Sequence, residues 1–241
     1  MTDWPAGSPP TVWRRGSPTT RAKKLRSDVE LPSLMATELS RELERAIILG
    51  NYEPGVRFVE EDIAAAFKIS RSPVREAFRR LEADGLVVRS ERRGVRVTPI
   101  SIADLDELYA CRLELEGLAA EQAKAGGPAA RQDLEAALTL LGEARRSGDM
   151  MKYFEANIAL TERIHVLTGN RTLIRLLQGL TKQSQRYRFL AYNRFPKMID
   201  YSLQANRDLV AAIVAGEGGY ARDIARLLVR HAWVKIREAL K

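Results

Sequence analysis

The sequence predicts a mainly α protein: an N-terminal winged helix-turn-helix followed by a six-helix bundle. Two observations predict it. Between Leu34 and Val97 the apolar pattern reads as helix, short helix, basic helix and hairpin. After Ile100 nearly everything carries helical periodicity. It is interrupted at "GGP" (126–128), "SGD" (147–149), "TGN" (168–170), "NRFP" (193–196) and "GEGG" (216–219). Those breaks leave six segments of bundle-like length.

The first helix starts near Leu34, with Leu39, Leu43, Ile47 and Ile48 on its apolar face, and "GNYEPG" stops it. A short helix over Glu60 to Phe67 turns Ile63, Ala64 and Phe67 inward. Ser72 before Pro73 suggests an N-cap followed by proline at the first helical position. Val74, Phe78 and Leu81 form the buried stripe of the helix that follows, and Gly85 ends it. Leu86 and Val88 then face Val95 and Val97 across the turn "SERRG". The predicted units are a basic, flexible tail over 1–33, a winged domain over 34–101 and a helical domain over 102–241. The tail is rich in Pro, Ser, Thr and Gly and carries no acid from Arg14 to Arg26.

Composition narrows the class. The chain has 241 residues, a formal charge of +8 and a single cysteine, Cys111. The charge favours an anionic partner, and one cysteine excludes a disulfide framework within the chain. No apolar run approaches a membrane span and no secretory signal is evident, so a cytoplasmic protein is expected.

The basic helix carries the first functional signal. Nine bases stand against four acids from Lys68 to Arg96, a net charge of +5. Arg75 and Arg79 lie off the buried stripe, and Arg71 precedes the helix at the end that would enter a major groove first. A guanidinium can bind guanine O6 and N7 with two hydrogen bonds, and Ser72 can reach a phosphate or base edge. In the wing, Arg92 and Arg93 precede Gly94, which permits a tight turn near a backbone. Arg71, Ser72, Arg75, Arg79, Arg92, Arg93 and Gly94 are therefore the candidate DNA contacts. A solvated charged helix would look similar, and the order of the four elements favours double-stranded DNA.

The stretch "YEPGVRFVEEDIAAAFKISRSPVREAFRRLEADGLVVRSERRGVRVTP" resembles the DNA-binding domain of GntR-type bacterial regulators. The resemblance implies operator contacts from Arg71, Ser72, Arg75 and Gly94. Many members carry an arginine near the start of the short helix, where this chain has Glu60, Glu61 and Asp62. That contact is expected to be missing, which would narrow or change the half-site.

From about 102 to 241 the chain more loosely resembles the ligand-binding domain of the FadR-like branch, the FCD fold. The matching stretches are "CRLELEGLAA" (111–120), "TGN" and "ANRDLVAAIVAGE" (205–217). The resemblance implies an antiparallel bundle with a central effector pocket, and six helices suit the VanR-type subgroup. Many such domains hold a metal through an aspartate or asparagine and three histidines. Counting from the motifs places Asn157, Thr161, Asn206 and Leu228 at those positions, a poor donor set. His165 and His231 each lie about one turn away, so a relocated metal site stays open as the alternative. Otherwise no cofactor is expected. An anionic effector, a carboxylate by preference, would instead use Arg112, with Glu116 one turn on. Glu116, Asn157, Thr161, Arg186 and Asn206 are further polar candidates.

Two other classes are open to a chain of this composition. An enzyme is disfavoured, because no nucleophile–base pairing, phosphate-binding glycine loop or metal cluster stands out. A non-specific architectural binder would have little use for so large a helical half, and competition with unrelated DNA separates it from a regulator. The reading is a sequence-specific, effector-controlled transcription regulator acting as a homodimer on a pseudo-palindromic operator.

Overall fold

The computed structural model describes the backbone of residues 20–90 and 94–241, and the side chains of 33–89 and 94–241. Helix α1 (Thr20–Ile48) begins well before the expected start at Leu34 and runs through part of the predicted tail. Ala22, Lys23, Lys24, Leu25 and Arg26 are all good helix formers, a signal that the Pro- and Gly-rich residues ahead of them obscured. The rest of the predicted tail, residues 1–19, lies outside the described residues.

Ala36, Leu39, Leu43 and Ile47 of α1 recur every three or four residues and are all buried. They pack on α3 (Arg71–Ala83), whose Val74, Ala77, Phe78 and Leu81 are completely buried. Helix α2 (Glu60–Phe67), between them in sequence, packs on α3 and contributes Ile63 and Ala64. Phe67, expected on the inner face, is 40% exposed. Helix α2 ends there, and Lys68 turns left-handed at φ 54° to start the turn into α3. The N-cap of α3 is Ser70 rather than Ser72, and it makes no side-chain cap bond. Pro73 consequently sits in the first turn, buried, where a missing N–H costs nothing.

The wing is a three-stranded sheet. Strands β2 (Val87–Ser90) and β3 (Gly94–Val97) form the expected hairpin. A two-residue strand, β1 (Arg57–Phe58), pairs with the other side of β3, giving the order β1-β3-β2. The register differs by one residue from the expected pairing. Val87 lies opposite Val97, and both are buried; Val88 lies opposite Arg96 and is 41% exposed. A period of two means that such a slip reverses the face. Leu86, also buried, belongs to the turn after α3 rather than to the strand.

Six helices follow: α4 (Ile102–Gln122), α5 (Pro128–Arg146), α6 (Met150–Val166), α7 (Arg171–Arg194), α8 (Met198–Ala215) and α9 (Gly218–Ala239). Every break coincides with a Gly- or Pro-containing interruption in the sequence. Ser101, Asp149 and Asn170 cap α4, α6 and α7 by accepting from Asp104, Lys152 and Leu173 N–H groups at 3.0–3.1 Å. Helix α4 is central, packed on α6, α7, α8 and α9. At its C-terminal end α9 approaches so closely that a Cβ on Gly218 would stand 2.7 Å from the Glu121 carbonyl oxygen. Only glycine permits that approach without a shift.

The winged domain is tied to the bundle mainly through α7. Lys182 Nζ lies 2.6 Å from Asp84 and 3.5 Å from Glu44. Ile48, at the end of α1, joins the bundle's own hydrophobic core.

Candidate nucleic-acid interface and effector cavity

Helix α3 buries one face and presents the other. Arg71, Ser72, Arg75 and Arg79 are all exposed, because Val74, Phe78 and Leu81 claim the buried stripe. Each arginine has a carboxylate partner: Arg71 with Glu61 at 2.7 Å, Arg75 with Glu60 at 2.7 Å, and Arg79 with Glu76 at 3.2 Å. The first two partners belong to α2, so the acids noted in the sequence stand directly beside the arginines expected to read DNA. Gly94 opens β3 at φ 73°, in the left-handed region that suits glycine. Arg92 and Arg93 lie outside the described residues.

Within the bundle, helices α4, α6, α7, α8 and α9 surround a cavity with about 80 Å³ of free space, room for several waters. Arg112, Glu116, Asn157, Thr161 and Asn206 line it together with Leu228 and His231. Five of the six polar positions inferred from sequence thus meet in one place.

The charges are arranged in a chain. Arg112 Nη2 donates to Glu116 Oε1 at 2.7 Å, and Glu116 Oε2 lies 2.7 Å from His165 Nε2. All three residues are buried. Burial by itself would raise the Glu116 pKa; His165 and Arg112 outweigh it and hold the carboxyl well below the usual carboxylate range. Arg112 is therefore already matched by a counter-charge. Asn206 Nδ2 donates to the Ser202 carbonyl at 2.7 Å, and Thr161 to the Asn157 carbonyl at 2.9 Å.

Arg186 is not part of this cavity. Its guanidinium reaches the carbonyl oxygens of Thr98 and, at 2.9 Å, Pro99, in the connection between the two domains. The arginine that does line the cavity is Arg188, missed because "KQSQRYR" reads as a solvated helix face. Two residues along a helix turn through roughly 200°, so one arginine meets the connection and the other the cavity. Arg188 is 6% exposed, hydrogen-bonds the Asn157 side-chain oxygen through Nη2, and among the described residues has no partner for Nη1.

The family model for bacterial regulatory proteins of the gntR family matches residues 35–97, and the FCD domain model matches 107–231, more than half of the chain. The chain belongs to the GntR family, in the branch that carries an FCD domain. Among its relatives is YdhC of Bacillus subtilis, an uncharacterized HTH-type transcriptional regulator. That relative is 39% identical over 93 residues, 39% of this chain and 42% of YdhC, so the match spans under half of its length. BphR of Paraburkholderia xenovorans, also an uncharacterized HTH-type regulator, is 31% identical over 180 residues, 70% of this chain and 73% of BphR. The solved structure of E. coli McbR/YncC shares the fold with a TM-score of 0.75 at 20% identity, covering 86% of this chain and 99% of that one. These families are regulators of transcription, not enzymes.

The residues of this GntR-type regulator do not fit a metal at the family's positions. Asn157 and Asn206 are amides, Thr161 spends its hydroxyl proton on a backbone carbonyl, and Leu228 offers no donor. Of the two displaced histidines, His165 is engaged by Glu116. His231 stacks on Tyr201 with ring centroids 3.9 Å apart. Among the described residues no group of three or more His, Cys, Asp and Glu side chains gathers to hold an ion. No described helix is long and apolar enough to cross a membrane.

Proposed function

We propose that this regulator binds its operator as a homodimer and that a small carboxylate in the α4–α9 cavity sets its affinity for DNA. Among the described residues the buried Nη1 of Arg188 has no hydrogen-bond partner and its charge no counter-charge, and this carries the reading of the ligand; Arg112 Nε also lacks a partner, but Glu116 matches that charge. A buried guanidinium donor is satisfied by an acceptor in nearly all native sites, and Asn157 supplies Arg188 with a neutral one. Arg112 and Glu116 balance each other, so Arg188 leaves the cavity wall with an excess positive charge. Burial and nearby Lys235 lower the His231 pKa, which keeps that ring neutral at pH 7. An anionic ligand supplies the missing charge, and a carboxylate matches the guanidinium's fork. Arg188, rather than Arg112, is the anchor in this account. Helix α7 supplies the connection to DNA: it presents Arg188 to the cavity, while its Arg186 and Lys182 hold the winged domain.

Thermal unfolding with saturated mono-, di- and hydroxycarboxylic acids of two to six carbons tests this. At least one acid should raise the Tm of the wild-type chain. Ligand at a hundred times its Kd adds about 2.7 kcal/mol. Arg188→Met should leave the unliganded Tm unchanged or higher, since it removes a buried charge without a counter-charge, and should abolish the ligand shift. A shift preserved in Arg188→Met, or no shift with any acid, contradicts the proposal.

Support for the dimer comes from α9. Tyr220, Leu227 and Val234 recur every seven residues and are 50–58% exposed, which sets three apolar side chains along one face of α9. Light scattering of the full chain should give twice 27.0 kDa, and Leu227→Glu should move the mass toward the monomer. A wild-type monomer at micromolar concentration contradicts the dimer.

A further inference from the structure

Glu60 and Glu61 occupy places where the resemblance implies an arginine that touches DNA. Their surroundings give them a different task. Together with Asp62 they fill the first turn of α2, where the helix dipole favours negative charge. Glu60 Oε2 accepts from Arg75 Nε at 2.7 Å, and its side chain is only 22% exposed. Glu61 Oε1 contacts Arg71 Nη1 at 2.7 Å, with both side chains more than half exposed.

The atoms used matter. The bond to Glu60 takes the Nε–H of Arg75. Among the described residues its two terminal nitrogens donate no hydrogen bond, and these form the fork that fits guanine O6 and N7 end-on. Glu60 therefore fixes the guanidinium plane without blocking its reading edge. Glu61 instead engages a terminal nitrogen of Arg71, part of the reading fork itself, so Arg71 must leave Glu61 to make the same contact.

We propose that Glu60 is a positioning residue that aims Arg75 at a base and so sharpens discrimination at that position, while Glu61 competes with DNA for Arg71 and so lowers affinity for DNA of any sequence. The proposal rests on the operator-binding reading above. Binding to arbitrary DNA comes almost entirely from phosphate neutralisation. Carboxylates at the start of α2, where the first helix of such a motif crosses the backbone, repel phosphates and half-neutralise both arginines. The Glu61 pair must be given up for a base contact, so it lowers affinity for the enriched duplex at least as much as for a scrambled one.

The test uses the full chain and a pool of randomised duplexes. Wild type should enrich a half-site, and Arg75→Ala should lose preference at one of its positions. Glu60→Ala should relax that same position. Glu60→Gln keeps an acceptor for Nε but not the charge, and should retain the preference. Both Glu60→Gln and Glu61→Gln should bind a scrambled duplex about three- to tenfold more tightly, as expected for one less repelled phosphate. The enriched duplex should gain as well, so Glu60→Gln and Glu61→Gln should keep the consensus. An unchanged consensus in Glu60→Ala overturns the proposal, and so does unchanged or weaker binding of the scrambled duplex by Glu60→Gln and Glu61→Gln. If wild type enriches nothing, the failure lies in the operator-binding reading and removes the proposal with it.

Discussion

Replacing Glu116 with alanine is expected to cost the folded protein about 3–5 kcal/mol, because it strands a buried charge. Arg112, Glu116 and His165 are 5%, 8% and 2% exposed, and the carboxylate is the centre of both 2.7 Å contacts. The comparison is Glu155→Ala. Glu155 also pairs with an arginine, Arg45, at 3.3 Å, but both side chains are more than half exposed. That change should cost about 0–1 kcal/mol. Denaturant unfolding at pH 7 decides between them, and equal small losses would show that burial does not govern the Glu116 network. The network also predicts a pH dependence. A carboxyl held below its ordinary value of 4.5 contributes stability that is complete above that value and is lost as pH falls through its depressed folded pKa. The gap between wild type and Glu116→Ala should therefore be widest near neutrality and shrink on acidification below 4.5.

Arg71→Ala and Arg75→Ala are each expected to weaken binding to an enriched duplex roughly five- to a hundredfold at fixed salt, the usual effect of losing a two-bond base contact. Unfolding should change little, since both side chains are exposed and their ion pairs lie on the surface. The loss should be smaller on scrambled DNA, where only a phosphate-level attraction is removed. Undiminished affinity in both variants would remove α3 from its assigned role.

Much of this fold was legible because its punctuation is strong. The bundle's interruptions each contain glycine or proline, and each falls between two observed helices. The face of α3 was equally plain, since Val74, Phe78 and Leu81 recur at helical spacing among arginines. Short elements were harder. Strand β1 has two residues, too few for any period to show, and Val87 and Val88 are alike to a pattern reader although they face opposite ways. The cavity illustrates a different limit. Asn157, Thr161 and Asn206 could be placed because motifs fix their distance from other residues. Arg186 and Arg188 could not be told apart, because α7 is buried on several sides between the winged domain and the bundle. Thr181, Ser184, Gln185, Arg186 and Arg188 are polar and buried alike, so polarity does not show which arginine points where. The pairing of Glu116 with His165 joins residues on different helices, and no local spacing announces it.

Retention of sheared DNA from the protein's own genome tests the central claim most directly. At about 0.15 M salt, where non-specific phosphate attraction is weakened, the full chain should retain a small set of fragments. These should share an inverted repeat with half-sites one or two helical turns apart. The carboxylate that raises the Tm should change that retention, and Arg75→Ala should weaken it. Uniform retention of all fragments, insensitive to the Arg75 substitution, would contradict the account.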